Sequence, residues 1–257
     1  MTWIVGTLTP FGFGIVASDI RVTLADKTEI DCLQKVHLVG NGLLAGFAGS
    51  VKIGFSLLQA LVDESAKLPQ NAAWNLDVIS NTWWPRVAKR VYLSAERIER
   101  NARSQIILVG AHPNKNQGPF PHVEMFTFSS PDFQPIKSAT IASIGCGARA
   151  PDCMKIVEKA FGAPNSEFLT LYKLGPLGLA TGVGVTLQDA IRQNPMAGIS
   201  GLFQVGIVSR GYCQIVQSEF YFKEDRTEAK FPELARDYNS LIQFCEKNCR
   251  NSTAAVC

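Results

Sequence analysis

The order of strand-like and helix-like segments constrains this chain most, because the two kinds come in blocks rather than in alternation. Strand-like runs at the start, in the middle and after residue 200 are separated by two blocks of helical periodicity, and a last helix follows. Regular alternation would favour a parallel sheet, whereas blocks favour antiparallel sheets covered by helices. We therefore predict an α+β fold, specifically a four-layer αββα sandwich of two stacked antiparallel sheets flanked by helices.

Short apolar runs joined by turn residues predict the strands. Residues 3–8 and 13–18 flank a Thr-Pro-Phe-Gly turn, and residues 35–39 and 43–45 flank Asn41-Gly42, so each pair predicts a hairpin. Further strands are predicted at 106–109, 123–128, 139–144, 203–208 and 212–216, with 219–222 extending the sheet. The segment from His112 to Pro121 is polar and contains proline and glycine, which predicts a loop.

Helical spacing of apolar residues predicts the helices. Ser50 is a suitable N-cap for the first of them, and a second helical region, 76–102, is interrupted near Pro85. Later helices are predicted at 151–161, 166–173, 177–193 and 231–249. The 76–102 region is basic, and a charge run of this kind usually marks a solvated face. The alternative is that it lines a cavity or meets an acidic neighbour; its cations are Arg86, Lys89, Arg90, Arg97 and Arg100.

Composition excludes several classes of protein. With 257 residues and 46% apolar residues, the chain can form one large domain or two small ones with an ample core. A net charge of +3 does not favour nucleic-acid binding, and no apolar run of about 18 residues predicts a membrane span. No signal peptide is recognisable, and seven scattered cysteines favour free thiols in the cytoplasm. Cys245 and Cys249 are four apart, but the histidines lack ligand spacing, so neither metal nor cofactor is predicted.

The N-terminus offers a possible nucleophile. If Met1 is removed, Thr2 carries a hydroxyl and a free α-amine on neighbouring carbons. An α-amine titrates near ~8 and can take the hydroxyl proton, so one residue would supply both nucleophile and base. Many chains begin Met-Thr without any catalytic role. Thr2 therefore indicates catalysis only in combination with the residues that follow it.

Four stretches in the first 65 residues resemble the proteasome β-subunit family, in the family's order and spacing. They are Thr2, Ala17-Ser18-Asp19, Gln34-Lys35-Val36 and Ala45-Gly46-Phe47-Ala48-Gly49. The resemblance is closest to the bacterial proteasome homologues, and further along it continues in the block order, Gly145-Cys146-Gly147 and Ser200-Gly201. It implies an N-terminal-nucleophile (Ntn) hydrolase domain over residues 1–225, with a C-terminal helix and tail, 226–257, extending the same domain.

The resemblance also implies roles for four residues. Thr2 would be the nucleophile, with its freed amine as the base. Lys35 would favour the alkoxide-like state of the hydroxyl and lower the proton affinity of the amine. Asp19 would orient Lys35 and keep it charged, and the backbone N–H of Gly49 would stabilise the oxyanion. Each residue alone has an ordinary structural explanation, such as a turn, a solvated strand end or the entry to a helix.

The remaining roles include two departures from the family's pattern. Thr23 would pair its backbone with an extended substrate, and Phe47 would shape the pocket for the side chain before the cut. Cys146 stands where the family often has a serine that handles the proton of the amine, and a thiol is a weaker hydrogen-bond partner. Ala197 stands where the family often has an aspartate, three residues before Ser200. Ser200 is still expected to contribute to the catalytic site.

The resemblance implies a threonine-type endopeptidase that cleaves polypeptides inside a homo-oligomeric assembly of stacked rings. An energy-dependent unfoldase would be its partner, because a closed chamber admits only unfolded chains. Two alternatives remain open. One is an Ntn amidohydrolase acting on a small acylated molecule, and the other is a catalytically silent ring-forming scaffold, suggested by the departures at Cys146 and Ala197.

Overall fold

The computed structural model describes residues 2–24, 27–40, 42–67, 75–161, 166–216, 220–222 and 228–248. The strands, in chain order, are β1 (Trp3–Leu8), β2 (Gly14–Asp19), β3 (Arg21–Thr23), β4 (Glu29–Asp31), β5 (Val36–Val39), β6 (Leu43–Ala48), β7 (Gln105–Gln117), β8 (Phe120–Ser129), β9 (Ile136–Lys137), β10 (Ile141–Gly145), β11 (Phe203–Ser209), β12 (Tyr212–Val216), β13 (Phe220–Phe222) and β14 (Glu228–Lys230). The α-helices are α1 (Val51–Ala66), α2 (Leu76–Thr82), α3 (Trp84–Ser94), α4 (Arg97–Asn101), α5 (Pro151–Phe161), α6 (Ser166–Lys173), α7 (Gly175–Gln193) and α8 (Tyr238–Asn248).

Two five-stranded antiparallel sheets form the centre of the fold. The first has the strand order β10-β1-β2-β11-β12, and the second has the order β5-β6-β7-β8-β9. The pairs β3–β4 and β13–β14 form separate two-stranded sheets. The prediction of an α+β fold with antiparallel sheets is therefore confirmed.

The three largest hydrophobic clusters among the described residues hold these elements together. One contains residues of both sheets, such as Ile4 of β1 and Ile107 of β7. A second joins the first sheet, through Val5 of β1, to α5 and α7, and a third joins the second sheet, through Phe47 of β6, to α1, α2 and α3. Because Ile4 and Val5 are neighbours on β1 and strand side chains alternate in direction, the two faces of that sheet both contact core.

The predicted hairpins and helix boundaries near the N-terminus are present. β1 and β2 pair antiparallel with Leu8 opposite Gly14, and β5 and β6 pair with Val39 opposite Leu43. The Ser50 side chain accepts a hydrogen bond from the Ile53 N–H and so caps α1. The basic region is divided before Pro85, which lies in the first turn of α3, where proline is tolerated.

The segment from His112 to Pro121 is not a loop, contrary to the sequence prediction. β7 continues to Gln117, β8 begins at Phe120, and the pairing register shifts between Ala111 and Asn116. That irregularity accommodates Pro113, which has no N–H to donate. The segment is polar because the end of this hairpin, residues 114–117, is exposed to solvent.

Two C-terminal predictions also need correction. Phe220–Phe222 does not extend the main sheet, because it pairs with Glu228–Lys230 instead; Glu219 is outside the described residues. The last helix begins at Tyr238 rather than at residue 231. In the preceding chain, Ala235 forms a parallel bridge with Leu33, which attaches the C-terminal segment to the rest of the domain.

The sequence predicted neither a membrane-spanning helix nor a metal site, and the described part of the chain can be searched for both. None of its helices combines the length and apolar character that are needed to cross a bilayer. Among the described side chains, no group of three or more His, Cys, Asp or Glu residues is arranged to hold a metal ion. Cys245 is buried against the core, and its predicted neighbour Cys249 lies outside the described residues.

Candidate active site

Thr2 is held at the start of β1 by the end of β10. The Cys146 N–H donates to the Thr2 carbonyl over 2.8 Å, and Trp3 lies opposite Gly145 in the β1–β10 register. Gly145 has a φ of +86°, and a Cβ there would approach the Thr2 carbonyl oxygen to 2.2 Å. Glycine at 145 therefore permits both the left-handed backbone and the close approach to residue 2.

Cys146 makes two further contacts with Thr2 through its sulfur. The Thr2 N–H donates to Sγ over 3.2 Å, and the thiol donates to the Thr2 carbonyl over 3.1 Å. The Thr2 nitrogen is an amide while Met1 is attached and would be the α-amine after its removal. The thiol thus lies next to the atom that is expected to act as the base.

Lys35 and Asp19 form a buried ion pair that contacts the start of β1 through Trp3. Lys35 Nζ donates to Asp19 Oδ2 over 3.0 Å and to the Arg21 carbonyl over 2.6 Å. The other carboxylate oxygen of Asp19 accepts the Trp3 N–H over 2.8 Å, so the aspartate also fixes the residue that follows Thr2. The side chains of Lys35 and Asp19 are 2% and 0% exposed. Burial lowers the pKa of Lys35, and the Asp19 carboxylate opposes that shift.

Five of the predicted site residues meet at one small cavity of about 40 Å³. They are Thr2, Thr23, Lys35, Phe47 and Gly49. Thr2, Thr23 and Gly49 also line a larger cavity of about 1210 Å³, which includes Cys146 in its wall. The structure therefore places these five residues around one cavity.

Gly49 stands between β6 and the positive end of α1. Its φ is +103°, and a Cβ there would come within 1.7 Å of the Arg103 carbonyl oxygen, so only glycine fits. It precedes the N-cap Ser50 of a 16-residue helix. Its peptide N–H is therefore placed where the helix dipole favours negative charge.

Phe47 forms a tightly packed wall of the small cavity. Its ring is 1% exposed and packs against His37 and Phe55, with ring centroids 6.0 Å and 5.1 Å away. A Cβ on Gly54 would approach the Phe47 ring to 2.1 Å, so α1 also presses against it. The ring has no room to move aside, and the small cavity is correspondingly narrow.

Ser200 does not line either cavity that contains Thr2. Its hydroxyl donates to Asp31 Oδ2 over 2.8 Å. Asp31 also accepts two hydrogen bonds from the Arg21 guanidinium, at 2.7 Å and 3.2 Å. The backbone of Arg21 in turn contacts both members of the ion pair, because its N–H donates to Asp19 and its carbonyl accepts from Lys35. Ser200 is thus connected to the site through Asp31 and Arg21.

Sequence reasoning missed Asp31 and Arg21. They lie opposite each other in the β3–β4 pair, whose strands have three residues each. Strands this short show no measurable periodicity. The available signal was a pair of opposite charges ten residues apart on either side of a polar stretch, which is compatible with a cross-strand pair.

The fold of this chain is similar to that of solved structures, and the likeness concerns the fold alone. Among solved structures, the chain is similar to the Anbu (Gly-1) mutant from Hyphomicrobium sp. strain MC1, a bacterial proteasome-like protein. The match covers 98% of each chain with a TM-score of 0.58 and 14% sequence identity. No protein-family model matches the chain, and none of the curated proteins searched matches it.

Proposed function

We propose that this protein is a threonine-type endopeptidase in which Thr2, freed by removal of Met1, is the nucleophile. The observation that carries the proposal is the buried Asp19–Lys35 pair, since Lys35 shares a cavity with Thr2 and Gly49. A buried ion pair is a costly feature that packing does not require, and such pairs are concentrated at functional sites. The proteasome-like fold supports the same assignment.

We also propose that the architecture is the four-layer αββα sandwich of the Ntn hydrolases. A cluster shared by both sheets and one further cluster for each sheet with its helices support this arrangement. Residues 1–225 would form the catalytic domain, and 226–257 would extend it. The Leu33–Ala235 bridge supports a single domain, because it joins the C-terminal segment to the N-terminal half.

In the first step, the α-amine of Thr2 takes the proton of the Thr2 hydroxyl as Oγ attacks the substrate carbonyl carbon. Negative charge develops on the carbonyl oxygen, and the Gly49 N–H at the positive end of α1 would stabilise it. The Lys35 ammonium favours the alkoxide-like state of Oγ and reduces the tendency of the amine to stay protonated. Asp19 keeps that ammonium in place over 3.0 Å.

In the second step, the protonated amine gives its proton to the leaving nitrogen as the peptide bond breaks. This leaves an ester between Thr2 Oγ and the acyl half of the substrate. Water then attacks the ester, the amine accepts the proton of the water, and Thr2 Oγ leaves and recovers its proton. Cys146 Sγ, 3.2 Å from the Thr2 nitrogen, would hold the amine in position for both transfers.

Three other residues would position the substrate or the site. The backbone of Thr23 would pair with an extended polypeptide, and Phe47 would restrict the small cavity to a small side chain. Ser200 would act at a distance, by holding Asp31 and therefore Arg21. Asp31 would thereby supply a carboxylate partner for Ser200 in a chain that has alanine at 197, where the family often has an aspartate.

Assembly and location are further parts of the proposal. Homo-oligomeric stacked rings and an energy-dependent unfoldase follow from the resemblance. Leu174, Leu177 and Val185 on or next to α7 are 67%, 50% and 49% exposed, and exposed apolar side chains of this kind support contacts between copies. The free thiols Cys153 and Cys213 fit a reducing compartment such as the cytoplasm.

The decisive experiment combines intact mass with a threonine-directed epoxyketone, a warhead that needs both the amine and the hydroxyl. We expect the chain to lack Met1, to be labelled at Thr2, and to cleave fluorogenic peptides. Thr2→Ala should abolish labelling and cleavage, whereas the matched variant Thr2→Ser, which keeps both groups, should retain them. Cleavage by Thr2→Ala would refute the mechanism. Cleavage of small amides alone would indicate an amidohydrolase. The absence of any labelling would indicate a silent scaffold, and native mass spectrometry would then still detect the assembled rings.

A further inference from the structure

The larger cavity that contains Thr2 has a strongly basic wall. Arg100, Arg103 and Arg149 line it, and none of its described lining residues is Asp or Glu. The site therefore presents three positive charges to whatever occupies it, in addition to the positive end of α1 beside Gly49. This charge has no role in the bond-breaking steps described above, and it calls for an explanation of its own.

Two of the arginines are held at the site by α4 and the residue pair after it. The acidic side chains of α4 and its N-terminal cap contact the start of α1: the Ser50 hydroxyl donates to Glu99, and Lys52 pairs with Glu96 over 3.0 Å. The Tyr92 hydroxyl donates to the Arg100 carbonyl over 3.0 Å. The carboxylates are thus used in docking the helix, while Arg100 lines the cavity.

The positive charges of the cavity are not neutralised within the described part of the chain. The arginine ion pairs found there involve Arg21 and Arg192, and none involves Arg100, Arg103 or Arg149. Arg100 Nε is in addition buried without a hydrogen-bond partner among the described residues. A buried donor of this kind costs free energy unless a bound group satisfies it.

The third arginine comes from a different segment of the chain, next to Cys146. Arg149 ends a short 3-10 turn, Gly147–Arg149, and its N–H donates to the Cys146 carbonyl over 3.0 Å. Cys146 contacts Thr2, whereas Arg103 contacts Gly49 through its carbonyl oxygen. The basic lining therefore comes from two segments, one next to the expected oxyanion donor Gly49 and one next to Cys146, which contacts the expected base.

We propose that the site selects polypeptide segments with Asp or Glu side chains on both sides of the cleaved bond. The proposal takes the position of that bond from the proposed function. A guanidinium matches a carboxylate in two parallel hydrogen bonds, and a cavity lined by one sign of charge raises the local concentration of the opposite sign. The arginines would act as specificity residues rather than in bond breaking.

The basic helical region supplies an internal control. Of its cations, Arg100 lines the cavity, whereas Lys89 pairs with Asp132 over 2.8 Å and Arg97 is exposed on the same helix, α4, without lining the cavity. Arg97→Gln removes the same charge from the same helix as Arg100→Gln. The two variants therefore separate an effect of the cavity from an effect of net charge.

The first test measures binding to the Thr2→Ala variant, so that it does not depend on turnover. A fluorescein-labelled extended peptide with Glu on both sides of a central small residue is compared, by anisotropy, with the same peptide carrying Gln. We expect the Glu peptide to bind about tenfold more tightly at low salt, and the ratio to fall roughly twofold for each of Arg100→Gln, Arg103→Gln and Arg149→Gln, the scale of a solvent-accessible ion pair. Arg97→Gln should leave the ratio unchanged.

Equal binding of the two peptides would overturn the inference, and so would a preference that survives the triple arginine variant. Thermal unfolding of each variant establishes that it is folded. A second test measures kcat/KM for the unlabelled peptides with the Thr2 protein. Cleavage without preference refutes the inference and leaves the proposed function intact. Arginine-dependent binding of the Glu peptide without any cleavage refutes the proposed function and leaves the assignment of the basic cavity standing.

Discussion

The Asp19–Lys35 pair allows the sharpest test of how the site is built, through a double-mutant cycle. Lys35→Met keeps the length of the side chain but leaves a carboxylate that is 0% exposed without its cation. The Trp3 and Arg21 N–H groups still donate to that carboxylate, at 2.8 Å and 3.1 Å, and satisfy part of it. We expect a loss of about 3–5 kcal/mol in the free energy of unfolding, the usual cost of breaking a buried pair.

Asp19→Asn keeps an oxygen for the Trp3 N–H but leaves Lys35 buried without a carboxylate, at a similar cost. The double variant removes both charges, so it should be more stable than the sum of the two losses implies, with a coupling of about 2 kcal/mol. Urea denaturation gives each free energy, and a constant slope establishes that the two-state treatment holds. Losses that add to within about 0.5 kcal/mol would show that Asp19 and Lys35 are not coupled as a buried pair.

The pH dependence of stability gives the same cycle an independent readout. The folded pKa of Lys35 is lowered from 10.5 by burial, so the unfolded chain holds this proton more tightly than the folded chain does. Stability should therefore rise as pH increases through the window below 10.5, in which only the folded chain has lost the proton. The difference between the wild-type and Lys35→Met curves isolates this term, and a difference that falls with pH would contradict it.

Three further predictions follow from single contacts. Gly49→Ala should cost about 2 kcal/mol or more and abolish cleavage, because its Cβ would lie 1.7 Å from the Arg103 carbonyl oxygen; Gly118→Ala, also at positive φ but with open space, should cost far less by urea denaturation. Burial lowers the pKa of His37 from 6.5 to about 4, so stability should fall as pH decreases through that range, by up to about 3 kcal/mol. A His37→Gln variant should lose this slope. Cys146→Ser should raise kcat/KM and Cys146→Ala should lower it, because a hydroxyl is a stronger partner for the Thr2 nitrogen than a thiol 3.2 Å away; equal rates for the two variants would exclude a role for the side chain.

Local signals in the sequence were sufficient where a single element or turn determines the structure. The Ser50 cap, the break before Pro85 and the two N-terminal hairpins all depend on residues within a few positions of one another. The meeting of Thr2, Lys35 and Gly49 at one cavity was predicted for a different reason, namely the resemblance. Periodicity alone contains no information about which strand ends meet.

Local sequence signals could not predict contacts between segments that are far apart in the chain. The Ser200–Asp31 hydrogen bond joins residues 169 positions apart, and nothing near either residue marks the other as its partner. The basic region was predicted to be a solvated face, with a cavity as the alternative. Both descriptions hold for different members, because Arg97 is exposed and Arg100 lines the cavity, and the difference depends on how α4 packs against α1.

Arg21 explains how a site with alanine at 197 can still be supported by a carboxylate. The guanidinium of Arg21 is fixed by Asp31, and Asp31 is held in turn by Ser200. The N–H of the same residue binds Asp19 and its carbonyl binds Lys35, so the contacts of the guanidinium help to hold the residue that contacts both members of the ion pair. Ser200 therefore stabilises the ion pair without approaching Thr2, so its contribution should depend on the Asp31 carboxylate and not on its own distance from the nucleophile.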